Sequence, residues 1–440
     1  IGGLAGSALT SGGENVAIGY AALISETANG RNVAIGKSAL TTQNAGSEAH
    51  NVAVGYEAGK LMTTGVQNTI VGGSAGDALT TGSSSVAIGY RALTNEDTGG
   101  RNVAIGDNAL AALNYDGTGY NTAIGFYAGA AMSTGIKNNL FGGSAGDALT
   151  TGNNNIAIGY DALGSEDTGS RNVAIGQAAL NSLNYDGNGY NIAIGHNAGL
   201  SVSTGTENTI MGSLAGDALT TGNRNVAIGY DALGAEIRGD RNVAVGFDAL
   251  GDQSNAGHVD VYNVAVGYEA GKAVTTGVRN TLIGGLSGDA IDTGSDNVAL
   301  GYNSLTSNTI GNSNVAIGKD SMISNVAADR NVAVGLGTLQ SMTSATTSDT
   351  YNTAVGYAAG QSITSGTENT LIGGLSGDSL TTGNFNTAVG SRALQAEDAH
   401  GRNVAIGYSA LATLNADEDA YNVGVGFKAG ESLTTGTKNT

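Results

Sequence analysis

The chain has 440 residues, with 37 acidic against 18 basic side chains and a net charge of −19. That balance argues against a phosphate-backbone partner, which needs clustered Lys and Arg, and no apolar run approaches the length of a membrane helix. The 73 Gly come with no Pro and no Cys, so no disulfide staples the fold and most backbone N–H groups can donate to a ladder.

One short phrase recurs from end to end. It reads Asn102-Val103-Ala104-Ile105-Gly106, and close copies open at Asn15, Asn32, Asn51, Asn68 and Ser85 and continue to Asn422. Most steps are 17 residues, as from Ser85 to Asn102, with occasional steps of 19 or 21. A fixed period of this size marks a stacked-repeat protein. Residues 1–440 therefore read as one continuous array, an all-β parallel solenoid or β-roll of about 25 short rungs. At ~4.8 Å per rung the expectation is an elongated rod of about 120 Å. Both ends, Ile1-Gly2 and Asn439-Thr440, fall inside a motif, so the chain reads as a window cut from a longer fibre.

Within a rung, counted from the opening Asn, the fifth residue is Gly and the fourth a sizeable apolar residue, as in Ile18, Val54, Phe141 and Met211. The eighth is always Ala, Ser or Thr, as in Ala22, Ala92, Ser287 and Thr338. The pattern predicts a short strand over the first four residues, a tight corner at Gly, and a second short strand through the small eighth residue. Parallel stacking then aligns the opening Asn residues into a ladder of side-chain amides with a structural role.

Four rung types alternate in a cycle of about 70 residues, starting at Asn51, Asn121 and Asn191. The first carries Ala-Gly and a Thr-Gly turn. The second carries Gly-Asp-Ala-Leu-Thr-Thr-Gly, as in 76–82. The third has an acidic loop, and the fourth is long, with Leu-Asn-Tyr-Asp-Gly at 113–117 and 183–187. In second-type rungs the third position is large (Ile70, Leu140, Ile210) and the sixth small (Gly73, Gly143, Ser213), whereas elsewhere the third is usually Ala and the sixth often Tyr. Bulk traded between two positions implies that both fill neighbouring volume. Glu26, Glu96, Glu166, Glu236 and Glu397 each precede an Arg by five residues, which suggests loop-bracing ion pairs of small energetic worth. The long rungs end in a ring (His50, Tyr120, Tyr190, Tyr262, Tyr351, Tyr421) that would pin the insertion. From Asn263 an extra rung stretches the cycle, which a solenoid tolerates because each rung touches only its neighbours.

Little of this suggests chemistry. His50, His196, His258 and His400 fall on different rungs without Cys, which leaves a zinc site without support. The segment Gly72-Gly73-Ser74-Ala75-Gly76 lacks the Lys of a phosphate loop. No residues suggest an enzyme or a cofactor. Calcium is the one metal considered, with Asp116 and Asp186 in the long loops as candidates because hard cations take carboxylate and carbonyl oxygens. Tyr115 and Tyr185 beside them are candidate contacts to glycans or another fibre. Thr63-Thr64 and Thr80-Thr81 do not extend into the uniform Thr array of an ice-binding face, since acidic or bulky loops interrupt them.

The Asn-Val-Ala-Ile-Gly copies, followed by Tyr-x-Ala-Leu or x-x-Ala-Gly, resemble the head repeats of trimeric autotransporter adhesins and the repetitive shafts of phage and bacterial tail-fibre proteins. The resemblance covers essentially the whole chain. It implies a left-handed parallel β-roll, three chains side by side, an extracellular, cell-surface or virion location, and a role in holding or presenting an adhesive tip. Rung length departs from it, because adhesin heads use shorter rungs. A physical argument for association stands beside it: a 17-residue rung encloses little volume, yet both strand faces want burial, so one face needs a partner. The expected function is a structural fibre segment with adhesive capacity, as a parallel homotrimer or a helical filament. The alternative is a glycan- or calcium-binding module that uses the long loops.

Overall fold

The computed structural model describes residues 1–440 apart from Asn29, Ala256, His258, Ala345 and Thr346. Two compact units divide it, Ile1–Gly222 and Asn223–Thr440. Each is a parallel β-solenoid, with no helix among the described residues. In the first unit, strands β1 (Val16–Ile18) to β12 (Thr209–Met211) pair consecutively and in register. Val103 lies against Thr122, Ala104 against Ala123 and Ile105 against Ile124. The second unit runs from β13 (Val226–Ile228) to β26 (Val423–Val425), with the same register at Val264 against Thr281. It also holds a two-residue pair at the long loops, Ala328–Asp329 with Ser348–Asp349.

The strand occupies positions two to four of the rung, and the Gly corner follows as expected. A Cβ on Gly106, at φ 136°, would lie 2.3 Å from the carbonyl oxygen of Gly125 on the next rung. Only Gly lets the stacked corners approach this closely.

The second strand is absent, and a column of turns stands in its place. Positions seven and nine take left-handed backbone, Asn108 at φ 55° and Leu110 at φ 49°. This alternation points successive N–H groups in opposite directions along the stack. Asn108 donates to the Tyr90 carbonyl on the rung before at 2.9 Å, and Leu110 to the Ala128 carbonyl on the rung after at 3.0 Å. Left-handed backbone costs a non-Gly residue roughly 1–2 kcal/mol, and the inter-rung bonds offset that cost. Position eight turns back on itself, Ala109 donating to the Gly106 carbonyl at 3.3 Å.

The opening Asn residues form the expected ladder. Asn121 Oδ1 accepts the backbone N–H of Asn138 at 3.0 Å, and its Nδ2 donates to the Gly135 carbonyl at 2.8 Å. The side chains are buried and close the third wall of each rung.

The bulk exchange proposed between positions three and six does not hold, because the two face opposite ways. Ala87 is 0% exposed and Tyr90 57% exposed in the same rung. Volume is instead traded between positions three and nine, both inside. Second-type rungs carry a large residue at three and Gly at nine, as in Leu140 and Gly146, third-type rungs carry Ala at three and Leu at nine, as in Ala157 and Leu163, and first-type rungs carry Ala at three and Gly at nine, as in Ala123 and Gly129. A Cβ on Gly129 would meet Leu140 at 2.7 Å and Leu110 at 2.9 Å. Leucines from the rungs on either side fill the space that a first-type rung leaves.

Candidate interaction surface

Positions two and four point outward on every described strand. Position two is Val, Ile, Thr or Asn, and position four is Ile, Val, Leu, Met or Phe. No charged residue occurs at either position in any complete rung. Within each unit this makes a continuous uncharged strip of half-exposed side chains, apolar at position four, such as Ile105, Ile124, Ile158 and Ile175 in the first, and mixed at position two, where Thr122 and Asn139 interrupt the Val and Ile residues.

Position six borders the strip with exposed rings, including Tyr20, Tyr90 and Tyr160 in the first unit. In the second unit Tyr230, Phe247 and Tyr268 stack face to face, with centroids 5.4 and 5.5 Å apart. Where a second-type rung has Gly at this place, the Tyr of the following rung leans over it. A Cβ on Gly73 would sit 3.5 Å from the Tyr90 ring, and one on Gly143 3.5 Å from Tyr160. Position six also carries charge in three rungs, at Lys37, Asp107 and Lys319, and most of the remaining charge lies on positions seven and ten and on the loops. An uncharged, largely apolar face of this kind is a candidate interaction surface.

Tyr115 and Tyr185 are half-buried, each ring lying over the next Gly, since a Cβ on Gly117 would meet the Tyr115 ring at 2.8 Å. Asp116 and Asp186 are exposed, and each accepts a hydroxyl from the preceding rung, Thr98 at 2.8 Å and Thr168 at 2.6 Å. Neither belongs to a group of three metal-ligating side chains among the described residues. The group that does have that composition is Glu397, Asp398 and His400. There Glu397 is buried and accepts the His400 backbone N–H at 3.1 Å. His258 lies outside the described residues. The Thr hydroxyls of the turns bond along the stack, Thr63 to the Thr80 carbonyl at 3.1 Å.

The Glu-Arg loop pairs are also corrected. Glu96 and its counterparts point inward and are 0% exposed, because they occupy position twelve, where most other rungs place Leu, Met, Val or Ile and four place a buried amide, Gln43, Gln253, Asn308 and Asn325. Arg101 instead donates to the Tyr120 hydroxyl at 2.6 Å, its guanidinium 5.6 Å from that ring's centroid. The guanidinium-on-ring contact recurs between Arg171 and Tyr190 and between Arg402 and Tyr421, although Arg402 donates its hydrogen bond to Asp419. The terminal rings of the long rungs thus rest on the Arg of the rung before. Arg31 pairs with Glu14 at 2.8 Å and Glu48 at 2.7 Å, on the neighbouring rungs.

A groove of about 490 Å³ runs beside positions seven to eleven, lined by Lys60, Asp77, Tyr90, Arg91 and Thr94 among others. Two of its polar groups are already committed, Lys60 to Glu57 at 3.1 Å and Asp77 to the Thr94 hydroxyl at 2.6 Å. Among the described residues no helix is long and apolar enough to cross a membrane. Comparison of the chain with protein-family models, with curated proteins and with solved structures finds no match.

Proposed function

We propose that the chain is a structural segment of an extracellular fibre, at a cell surface or on a virion, and that it packs against copies of itself through the outward strand face. The observation that carries this reading is the uncharged, largely apolar strip at positions two and four in a chain of net charge −19. Like-charged chains repel wherever their acidic loops approach. The strip is the face on which that repulsion is least and on which apolar burial offsets it, at about 25 cal/mol per Å². A surface repeated at every rung favours parallel, in-register copies, because a shift by one rung still matches but leaves the ends uncovered. Three chains around one axis close such a surface, and an open filament is the other solution. Adhesive capacity, if the fibre presents a tip, belongs to the same reading.

Cross-linking tests it. The chain has no Cys, so Ile158→Cys places one thiol on the strip. Parallel in-register copies form covalent dimers on mild oxidation, and Ser83→Cys on the loop side does not. Equal cross-linking at both positions, or none at Ile158→Cys, contradicts the proposal.

A further inference from the structure

Three residues after its buried glutamate, a third-type rung ordinarily carries a glycine that the carboxyl requires. A Cβ on Gly169 would fall 2.4 Å from the Glu166 carboxyl carbon, and one on Gly99 would fall 2.6 Å from Glu96 Oε1. Both are far inside the separation that non-bonded heavy atoms keep. Gly239 holds the same place after Glu236. After Glu397 the place is taken by His400.

The backbone keeps its course there. Asn386 donates its side-chain amide to the His400 carbonyl at 3.2 Å, as Asn155 does to the Gly169 carbonyl at 2.8 Å. The carboxyl contact is looser, since Glu397 Oε1 accepts the His400 N–H at 3.1 Å where Glu166 accepts that of Gly169 at 2.7 Å. An imidazole is thus held against a buried carboxylate at a spot where neighbouring rungs of this type keep no side chain.

The group it completes has the composition of a metal site. One ligand atom from each of Glu397, Asp398 and His400 lies within 4.8 Å of the other two, and no other three His, Asp or Glu side chains gather this way among the described residues. Glu397 is 0% exposed. His400 Nδ1 is shielded from solvent and has no hydrogen-bond partner, although the ring as a whole is 31% exposed. It stands 3.8 Å from Glu397 Oε1, beyond hydrogen-bond reach. A shielded ring nitrogen without a partner is costly, and so is a buried carboxylate without a cation. Arg402, the basic residue of the same loop, is engaged with Asp419 at 2.8 Å.

We propose that Glu397, Asp398 and His400 bind a divalent transition-metal ion of the zinc class, through Glu397 Oε1, a carboxylate oxygen of Asp398 and His400 Nδ1. Ligand atoms at about 2.0–2.1 Å from zinc sit roughly 3.4 Å apart in a tetrahedron, so the Nδ1 and Oε1 pair has little distance to close. Asp398 is exposed and free to turn toward them. Three protein ligands leave a fourth position for water. A nitrogen ligand beside two carboxylates suits zinc, copper or nickel, whereas calcium and magnesium take oxygen alone. The ion supplies the missing partner to Nδ1 and the missing positive charge to Glu397. Histidines counted across rungs hide such a site, because all three ligands come from one loop. It lies on the loop side of the rung and is independent of what covers the strand face.

Zn²⁺ titration of the whole chain tests the site, read by calorimetry and by the ¹⁵N resonances of labelled histidine. The parent should bind Zn²⁺ and shift the Nδ1 resonance of His400, and equimolar Ca²⁺ should not displace the ion. His400→Gly restores the residue found at Gly99 and Gly169 and is therefore compatible with the fold. It should weaken Zn²⁺ binding at least about tenfold, and Asp398→Asn should weaken it too. No binding by the parent at about 0.1 mM Zn²⁺ overturns the site, as does binding that His400→Gly leaves unchanged. Zn²⁺ that leaves the His400 Nδ1 resonance unmoved in the parent overturns it without recourse to any variant.

Discussion

Asn138 donates its backbone N–H to the side chain of Asn121 at 3.0 Å and offers its own Oδ1 to the N–H of Asn155 at 2.9 Å. One residue thus links three rungs. Its Nδ2 also donates to the Gly152 carbonyl at 2.8 Å.

Asn138→Leu leaves the Asn155 N–H and the Gly152 carbonyl buried without partners. At roughly 1–3 kcal/mol per unsatisfied group, the expected loss is about 3 kcal/mol. The neighbouring Asn139, on the exposed strand face, should accept Asn139→Val within about 0.5 kcal/mol. Denaturant titration of the two variants checks this, and equal losses would remove the ladder as a source of stability.

Gly72 and Gly73 are adjacent and should behave oppositely. A Cβ on Gly72, at φ 139°, falls 2.3 Å from the Gly89 carbonyl oxygen, whereas one on Gly73 meets only the Tyr90 ring at 3.5 Å. Gly72→Ala combines backbone strain with a clash against backbone and should cost about 3 kcal/mol or more. Gly73→Ala should be neutral or stabilise by ~0.5 kcal/mol through the unfolded chain. Thermal unfolding separates the two.

The exchange of volume between positions three and nine predicts coupling. Leu140→Ala opens a cavity at an expected cost of about 2–5 kcal/mol. Gly146→Leu alone clashes, since even a Cβ there meets Leu149 at 2.8 Å and Leu140 at 2.9 Å. Together they recreate the pattern of Ala157 and Leu163, so the double variant should be more stable than the sum of the singles by about 1–3 kcal/mol. Strict additivity in a double-mutant cycle would refute the exchange.

Acid should stabilise the chain. Burial holds Glu96 near 6 against an ordinary 4.5, and Asp289 at about 6 against 3.8. A carboxyl raised on folding contributes stability that is complete below its unfolded value and lost as pH climbs through the folded one. Each such group contributes on the order of 1–2 kcal/mol. Carboxylates held low by Arg, such as Asp296 beside Arg279, act the other way but are exposed and contribute little. Calorimetry should find a higher Tm at about pH 5 than at about pH 7.5, with the difference reduced in Glu96→Gln.

How much of this was legible varies with the physical signal. The period, the Gly corner and the Asn ladder were readable because each depends on a residue type with few substitutes: Gly106 for room at the corner, Asn121 for a side chain that both donates and accepts. The second wall was not. Left-handed backbone at Leu110 and Asp161 leaves no mark in composition, and Ala-Leu there reads as strand. The glutamates misled for a related reason, since an acidic residue in a loop five before an Arg looks like a surface pair. Alignment by position in the rung would have placed Glu96 in the column of Leu79 and Leu113. The candidate loop residues Tyr115 and Asp116 are brought together with Thr98 and Glu96, contacts that depend on how an inserted loop folds over the stack and that spacing alone does not encode. An outward apolar face was expected from the apolar residues on both sides of the strand, but not which positions form it.

In the proposed fibre, copies of the chain cover the uncharged strip. The absolute mass in solution by light scattering reads that association, in low salt and in moderate salt that screens the acidic loops. The expected mass is three chains, favoured by salt and returned to one chain by Ile124→Lys with Ile158→Lys. A single-chain mass for the parent at every salt concentration would contradict the claim.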